Sequence, residues 1–281
     1  QKRHSVPDNI AVRHQPETPI RVCGKVNKRI ERQKLYVICV KKPKMMKGKI
    51  RIIFVIYLLC GSFSILYAQS IPNVEIAFEE LNKLINVRDV TLSTTSDEVY
   101  FTIQSAFGEI SQIKKKKKIA GKWSAPELMN FSDRFSDLEP FLAPDQKTLY
   151  FSSNRPMNDI SGNPKDYDIW YVKRSGKNAP WGKPINLGMP VNSEYDEFYP
   201  TLALNNNLYF TMDAPSGMGT DDIYYAPYQD GVYGQPQILG SAINSDGYEF
   251  NAFISKNEDF IIFTKYNNEG GFGSGDLYIS R

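Results

Sequence analysis

Between Gln69 and Arg281 the sequence holds no cysteine and no histidine; all three Cys (Cys23, Cys39, Cys60) and both His (His4, His14) come earlier. That absence excludes Ser-His-Asp and Cys-His nucleophilic catalysis from this stretch. It excludes ordinary zinc sites, which need thiolate or imidazole ligands. It also excludes disulfides, so the fold must be held by its core alone, and about 210 residues suffice to bury one. Helix signals are nearly absent after residue 86, and only one long apolar run exists, Ile52 to Leu66. What remains for chemistry is carboxylates, tyrosines, lysines and arginines, or a hard metal ion held by oxygen ligands.

Charge is unevenly placed. Of 34 basic and 31 acidic residues, 15 and 3 respectively precede Gln69, leaving 19 against 28 and a net charge of −9 for the rest. Met45 to Arg51 is a short positive segment, Ile52 to Leu66 is apolar, and Leu66-Tyr67-Ala68 ends on a small residue. This layout predicts a secretory signal peptide over 45–68, cleaved after Ala68, and hence a periplasmic or extracellular protein. The alternatives are an uncleaved membrane anchor over 52–68 and a lipoprotein signal at Cys60, where Leu59 is the wrong size. Residues 1–44 read as an upstream basic segment without a fold of its own, and 69–86 as a lead-in that fits either a short helix or a strand.

From Val87 a unit repeats. Its second-strand triplets are Val99-Tyr-Phe101, Leu149-Tyr-Phe151, Leu208-Tyr-Phe210 and Ile261-Ile-Phe263, with their Phe residues 50, 59 and 53 apart. Third-strand triplets follow at Asp168-Ile-Trp170, Asp222-Ile-Tyr224 and Asp276-Leu-Tyr278, 54 and 54 apart. A fourth element begins at Gly121-Lys-Trp, Trp181-Gly-Lys and Tyr233-Gly-Gln. The spacing predicts an all-β protein, a β-propeller of four-stranded antiparallel blades with four recognisable repeats at about 87–133, 134–193, 194–245 and 246–281. The many Tyr and Phe residues are read as sheet packing.

The second repeat carries a resemblance. Glu139-Pro-Phe-Leu-Ala-Pro-Asp145, Leu149-Tyr-Phe-Ser-Ser-Asn-Arg-Pro156 and Asp168-Ile-Trp170 resemble the PD40, or WD40-like, propeller repeat of TolB-type proteins, most closely secreted Bacteroidetes-type ones. The Pro-Asp-Gly turn is intact nowhere: Gln146 stands where Gly is usual, and the other repeats have Thr94-Thr-Ser-Asp97, Leu204-Asn-Asn-Asn207 and Lys256-Asn-Glu-Asp259. The resemblance implies a six-bladed parent, so the chain is expected to be truncated or to complete a blade with its lead-in. It also implies an interaction scaffold for a protein, peptide or glycan, with no nucleic-acid partner, no catalysis, and contact with a membrane only through a retained signal segment.

Aligning the repeats places Asp137, Glu197 and Glu249 in one column at the start of the innermost strands. Stacked there, they are candidates for a cationic ligand or for Ca²⁺, the one cofactor considered; the competing reading is that each caps its own loop. Asp168, Asp222 and Asp276 recur before strand three and read as turn caps. Arg155 is a candidate for binding a carboxylate or an anionic sugar, against an inter-blade ion pair. Lys114 to Lys118 reads as a solvated hairpin tip. The runner-up function is a carbohydrate-active hydrolase, which needs a carboxylate pair across the channel.

Overall fold

A computed structural model describes residues 78–157 and 163–281 with their side chains, and the backbone of 10–14, 36–37 and 75–76. The expected signal segment, 45–68, lies outside the described residues. Among the described residues no helix is long and apolar enough to cross a membrane.

The chain is a four-bladed β-propeller. Blade 1 is built from Val87–Leu92, Glu98–Gln104 and Ser111–Ile119, with Lys122–Trp123 and Glu127–Leu128 on its outer edge. Blade 2 runs Asp137–Leu142, Thr148–Ser153, Asp168–Lys173, Ile185–Asn186, and blade 3 runs Asp196–Leu202, Leu208–Asp213, Asp222–Ala226, Gln237–Ile238. Blade 4 has Tyr248–Ile254, Ile261–Tyr266 and Gly275–Ser280, all antiparallel, and Ile10–His14 lies parallel along its outer strand. The first strands of blades 1 and 2, of 2 and 3, and of 3 and 4 pack against one another in turn, so the four line the axis. In the lead-in, Glu75–Ile76 is a short strand and Glu79–Asn82 a single helical turn whose Leu81 is buried against Val99 and Phe101.

A lone four-stranded sheet cannot bury both faces, and the blades solve this by stacking. Tyr100, Ile113 and Met129 of blade 1 pack with Leu149, Phe151, Trp170 and Trp181 of blade 2. Ile169 of blade 2 joins Leu202, Leu208 and Phe210 of blade 3, and Ile223 of blade 3 joins Ile254, Phe263 and Tyr278 of blade 4. The repeating triplets are therefore the inter-blade core.

Two local expectations need correction. Lys114–Lys118 is not a hairpin tip but the middle of blade 1's third strand. Alternation buries Lys116, while Lys115 and Lys117 pair with Glu127 at 3.2 Å and Glu98 at 3.0 Å. Arg155 pairs within its own blade, not between blades: Nη2 meets Asp137 Oδ1 at 2.6 Å. Inter-blade charge pairing falls instead to Arg174, whose two amino groups reach both oxygens of Glu98 in blade 1 at 3.1 and 2.8 Å while its guanidinium lies over Trp181.

The lost glycines have a structural sequel. The first hairpin turn of every blade keeps one residue in the left-handed region: Ser96 (φ 53°), Gln146 (59°), Asn206 (67°) and Glu258 (61°). Glycine adopts this conformation freely, whereas other residues strain. At two positions the side chain gives something back. Gln146 Oε1 accepts from Thr94 N of blade 1, and Glu258 accepts from Asn205 Nδ2, Asn207 Nδ2 and Tyr209 OH of blade 3. Ser96 is exposed and its side chain reaches no neighbouring blade. Ser96→Gly is therefore expected to stabilise the fold by about 0.5–1 kcal/mol, and Glu258→Gly to destabilise it by about 1–2 kcal/mol despite the same relief of strain. Urea unfolding of the two variants beside the parent checks the opposite signs.

Candidate functional site

The recurrence that matters at the axis lies two residues on from the predicted one. Every inner strand slips register against its neighbour, between Arg88 and Val90, opposite Tyr150 to Ser152, between Phe198 and Thr201, and between Phe250 and Phe253. At each slip one residue sits in the left-handed region: Asp89 (φ 52°), Glu139 (59°), Tyr199 (51°) and Asn251 (55°). An extra residue of this kind is a β-bulge, which re-aims side chains. Such backbone outliers concentrate at functional sites.

Three of the four bulge residues meet around Arg88. Its Nε donates to Asp89 Oδ2 at 2.6 Å, and its Nη2 donates to Glu139 Oε1 at 3.3 Å and to the Tyr199 hydroxyl. Glu139 Oε2 accepts from the backbone N–H of Tyr199 at 2.7 Å and from Ser152 Oγ at 3.1 Å. Phe250 of blade 4 lies beside the Tyr199 ring, centroids 5.7 Å apart. The Glu139 side chain is 3% exposed and that of Asp89 10%, but Arg88 keeps 33% of its side chain open. The cluster thus joins blades 1, 2 and 3, with Arg88 its most open member.

Two carboxylates here share one arginine. Burial pushes the Glu139 carboxyl up to about 8, the charge of Asp89 adds to the rise, and Arg88 opposes it. Burial also raises Asp89, but its direct contact with Arg88 pulls it back. Burial thus raises both carboxyls of the pair, with Arg88 opposing the rise in each. Burial alone would lower Arg88, yet Asp89, Tyr199 and Glu139 outweigh it and push its pKa up.

The predicted acids are placed differently, each bound within its own blade and none hydrogen-bonded to another. Asp137 is fully buried on Arg155, which also donates to Phe131 O at 3.1 Å and Ser153 Oγ at 2.9 Å and lies over Phe151 and Trp170. Glu197 accepts from Ser193 N at 3.1 Å and from Ser193 Oγ. Glu249 accepts from Ser245 N at 2.8 Å and pairs with Lys265 at 3.3 Å. The strand-three acids hold loops: Asp222 Oδ2 accepts from Met218 N and Gly219 N, and Asp276 Oδ2 from Phe272 N. A Cβ on Gly217 would stand 2.2 Å from Asp222 Oδ2, which is why that loop needs glycine. Among the described residues no group of three Asp, Glu, His or Cys is placed to hold a metal ion.

Sequence reasoning passed over Arg88, Asp89, Glu139 and Tyr199 as site residues. A signal was available: the column two residues after Asp137, Glu197 and Glu249 reads Asp89, Glu139, Tyr199, Asn251, polar or polar-tipped throughout. A second motif also went unread. Val191-Asn-Ser193 and Ile243-Asn-Ser245 precede blades 3 and 4, and Asn192 and Asn244 each accept from and donate to the backbone of one residue, Ile169 and Ile223.

No protein-family model matches the chain, and no curated protein matches it. Solved structures do. The α-L-arabinofuranosidase from Lactobacillus brevis is 13% identical over 66% of this chain and 66% of that one, TM-score 0.42. A Hadza microbial sialidase is 11% identical over 69% of this chain and 43% of that one, TM-score 0.44. The β-propeller domain of the trilobed protease from Pyrococcus furiosus is 10% identical over 68% and 49%, TM-score 0.35. The chain spans 24–66% of the length of the structures it matches. At such identities the likeness is one of fold alone. The expectation of a non-enzymatic chain finds no support in these structures, most of which are glycoside hydrolases and peptidases. The physical reason is that missing His and Cys leave carboxylate chemistry untouched.

The titration of Glu139 has a sign that can be checked. Its folded pKa, about 8, lies above the ordinary 4.5, as does that of Glu197, also raised to about 8 by burial. The folded state then binds more protons than the unfolded chain in this window, so stability falls as pH rises from about 4.5 to about 8. Glu98 acts oppositely: burial would raise it, but Arg174 and Lys117 hold it low, so acid below its ordinary range weakens the fold. Thermal melts are expected to give the highest Tm near pH 5 and a lower Tm at about pH 8. Glu139→Gln is expected to flatten part of that alkaline decline.

Proposed function

We propose that the chain is a carbohydrate-active propeller that receives a glycan at the axial cluster and acts on it with carboxylates. The observation that carries this reading is the carboxyl pair on neighbouring inner strands, Asp89 and Glu139, sharing Arg88, with the Glu139 carboxyl pushed up to about 8 by burial. Paired carboxyls whose environments separate their protonation states are what glycoside hydrolysis uses: one donates to the leaving oxygen, the other stays charged. In this scheme Glu139 is the proton donor, Asp89 the charged carboxylate, and Arg88 with the Tyr199 ring receives the sugar.

A second reading is a binding module for a protein, peptide or glycan. It is favoured by the saturation of Glu139, whose two oxygens already accept from Arg88, Tyr199 N and Ser152 Oγ. Under either reading the segment layout of 45–68 supports export, to the periplasm or the cell surface, with Gln69 as the first residue of the secreted form. The second-repeat residues Glu139 to Asp145 support grouping the blades with the PD40 type.

The test is a panel of aryl glycosides and polysaccharides assayed with the parent, Glu139→Gln and Asp89→Asn. Hydrolysis lost by about 10²-fold or more in Glu139→Gln, with its pH profile falling off near 8, supports the proposal. Glycan binding without turnover, unchanged by Glu139→Gln, contradicts it and leaves the binding module.

A further inference from the structure

Away from the axis, blades 2 and 3 enclose a cleft of about 350 Å³. Tyr150 and Tyr171 of blade 2 form one wall, with ring centroids 5.7 Å apart. Tyr228 and Tyr233 form the other, 4.9 Å apart, on the hairpin that follows blade 3's third strand. The two walls meet where the Tyr150 and Tyr233 hydroxyls lie 3.4 Å apart. The hairpin turn is Asp230-Gly231, both with positive φ (51° and 89°), which is the rigid two-residue turn suited to strand twist. The second wall is thus fixed before any ligand arrives. Two apolar side chains mark the rim and face solvent, Met189 at 88% and Val232 at 67% exposure.

The lining selects its occupant by elimination. Among the described residues Lys173 is the one charged side chain in the lining, and it sits 5.2 Å from the Tyr171 ring centroid, so a cation is repelled despite the four rings. Among the described residues no Asp, Glu, Asn or Gln side chain lines the cleft, so it lacks carboxylate and amide partners for sugar hydroxyls and offers phenol O–H groups, which suit the carbonyls of an extended chain. Rigid phenol walls with an apolar rim are what an extended, proline-rich segment uses, because its rings pack on aromatic faces and its backbone is already ordered. Lys173 adds a preference for an acidic residue beside the prolines.

We propose that the tyrosine cleft between blades 2 and 3 is a docking site for an extended proline-rich segment of a partner protein bearing an acidic residue opposite Lys173. This site is separate from the axial cluster, and its fate does not depend on the glycan reading. The probe is a fluorescein-labelled ten-residue peptide of repeated Pro with one Glu, compared with versions in which the prolines are Ala or the Glu is Gln. Anisotropy is expected to show binding of the Pro/Glu peptide, at least tenfold tighter than the Ala version. Val232→Asp and Met189→Asp, both at exposed positions, are each expected to weaken it about tenfold with an unchanged Tm. Lys173→Glu is expected to erase the difference between the Glu and Gln peptides, and Glu139→Gln to change nothing. Equal binding of the Pro and Ala peptides, no binding of either by the folded parent, or binding indifferent to both Val232→Asp and Met189→Asp would overturn the proposal.

Discussion

The axis of this propeller depends on one backbone constraint: each inner strand carries an extra residue in the left-handed region. A straight inner strand would keep pleated alternation and turn every second side chain toward the neighbouring blade. The bulge interrupts that alternation once per blade, at Asp89, Glu139, Tyr199 and Asn251. Each such residue carries a conformational cost on the order of 1–2 kcal/mol for a non-glycine side chain, so the fold sustains it only because something holds the residue in place. At three of the four positions that something is Arg88, its hydrogen bonds reaching Asp89, Glu139 and the Tyr199 hydroxyl.

The same logic operates at the periphery. The hairpin turns also need a left-handed residue, and blades 2 and 4 fill that position with Gln146 and Glu258, which reach back to the preceding blade. Strain within a blade is thereby exchanged for contact between blades. Arg174 does the same with charge, buried between Glu98 and Trp181. Losing one partner of such a buried pair is far costlier than the pair is stabilising, since the survivor is left charged and unsolvated. The blades are joined by a small number of polar contacts that tolerate little change, set in an apolar interface that tolerates more.

Much of this was legible in the residues. The Tyr-Phe and Asp-Ile-aromatic triplets are spaced by whole blades, and each turned out to pack against a neighbouring blade, so architecture followed from spacing. The acidic column was legible too, but its destination was not. Asp137 lies at the start of an inner strand as the spacing implied, yet Arg155, eighteen residues on, folds back to cover it. No period announces such a pairing. The axial cluster was hidden for a related reason: Asp89, Glu139 and Tyr199 share a repeat column but differ in chemistry, so the column reads only as polar, and the bulge is what brings them together. The lysine run shows the limit of composition, since five like charges read as a solvated tip until three acids from Glu80, Glu98 and Glu127 are found beside it.

The central claim is that Arg88 and Glu139 act as one unit across the blade 1–blade 2 boundary. A double-mutant cycle of Arg88→Met and Glu139→Gln, read by urea unfolding at neutral pH, measures this directly. The account predicts that the two losses fail to add, with a coupling of about 1–2 kcal/mol. Additive losses, with a coupling within about 0.3 kcal/mol of zero, would contradict it.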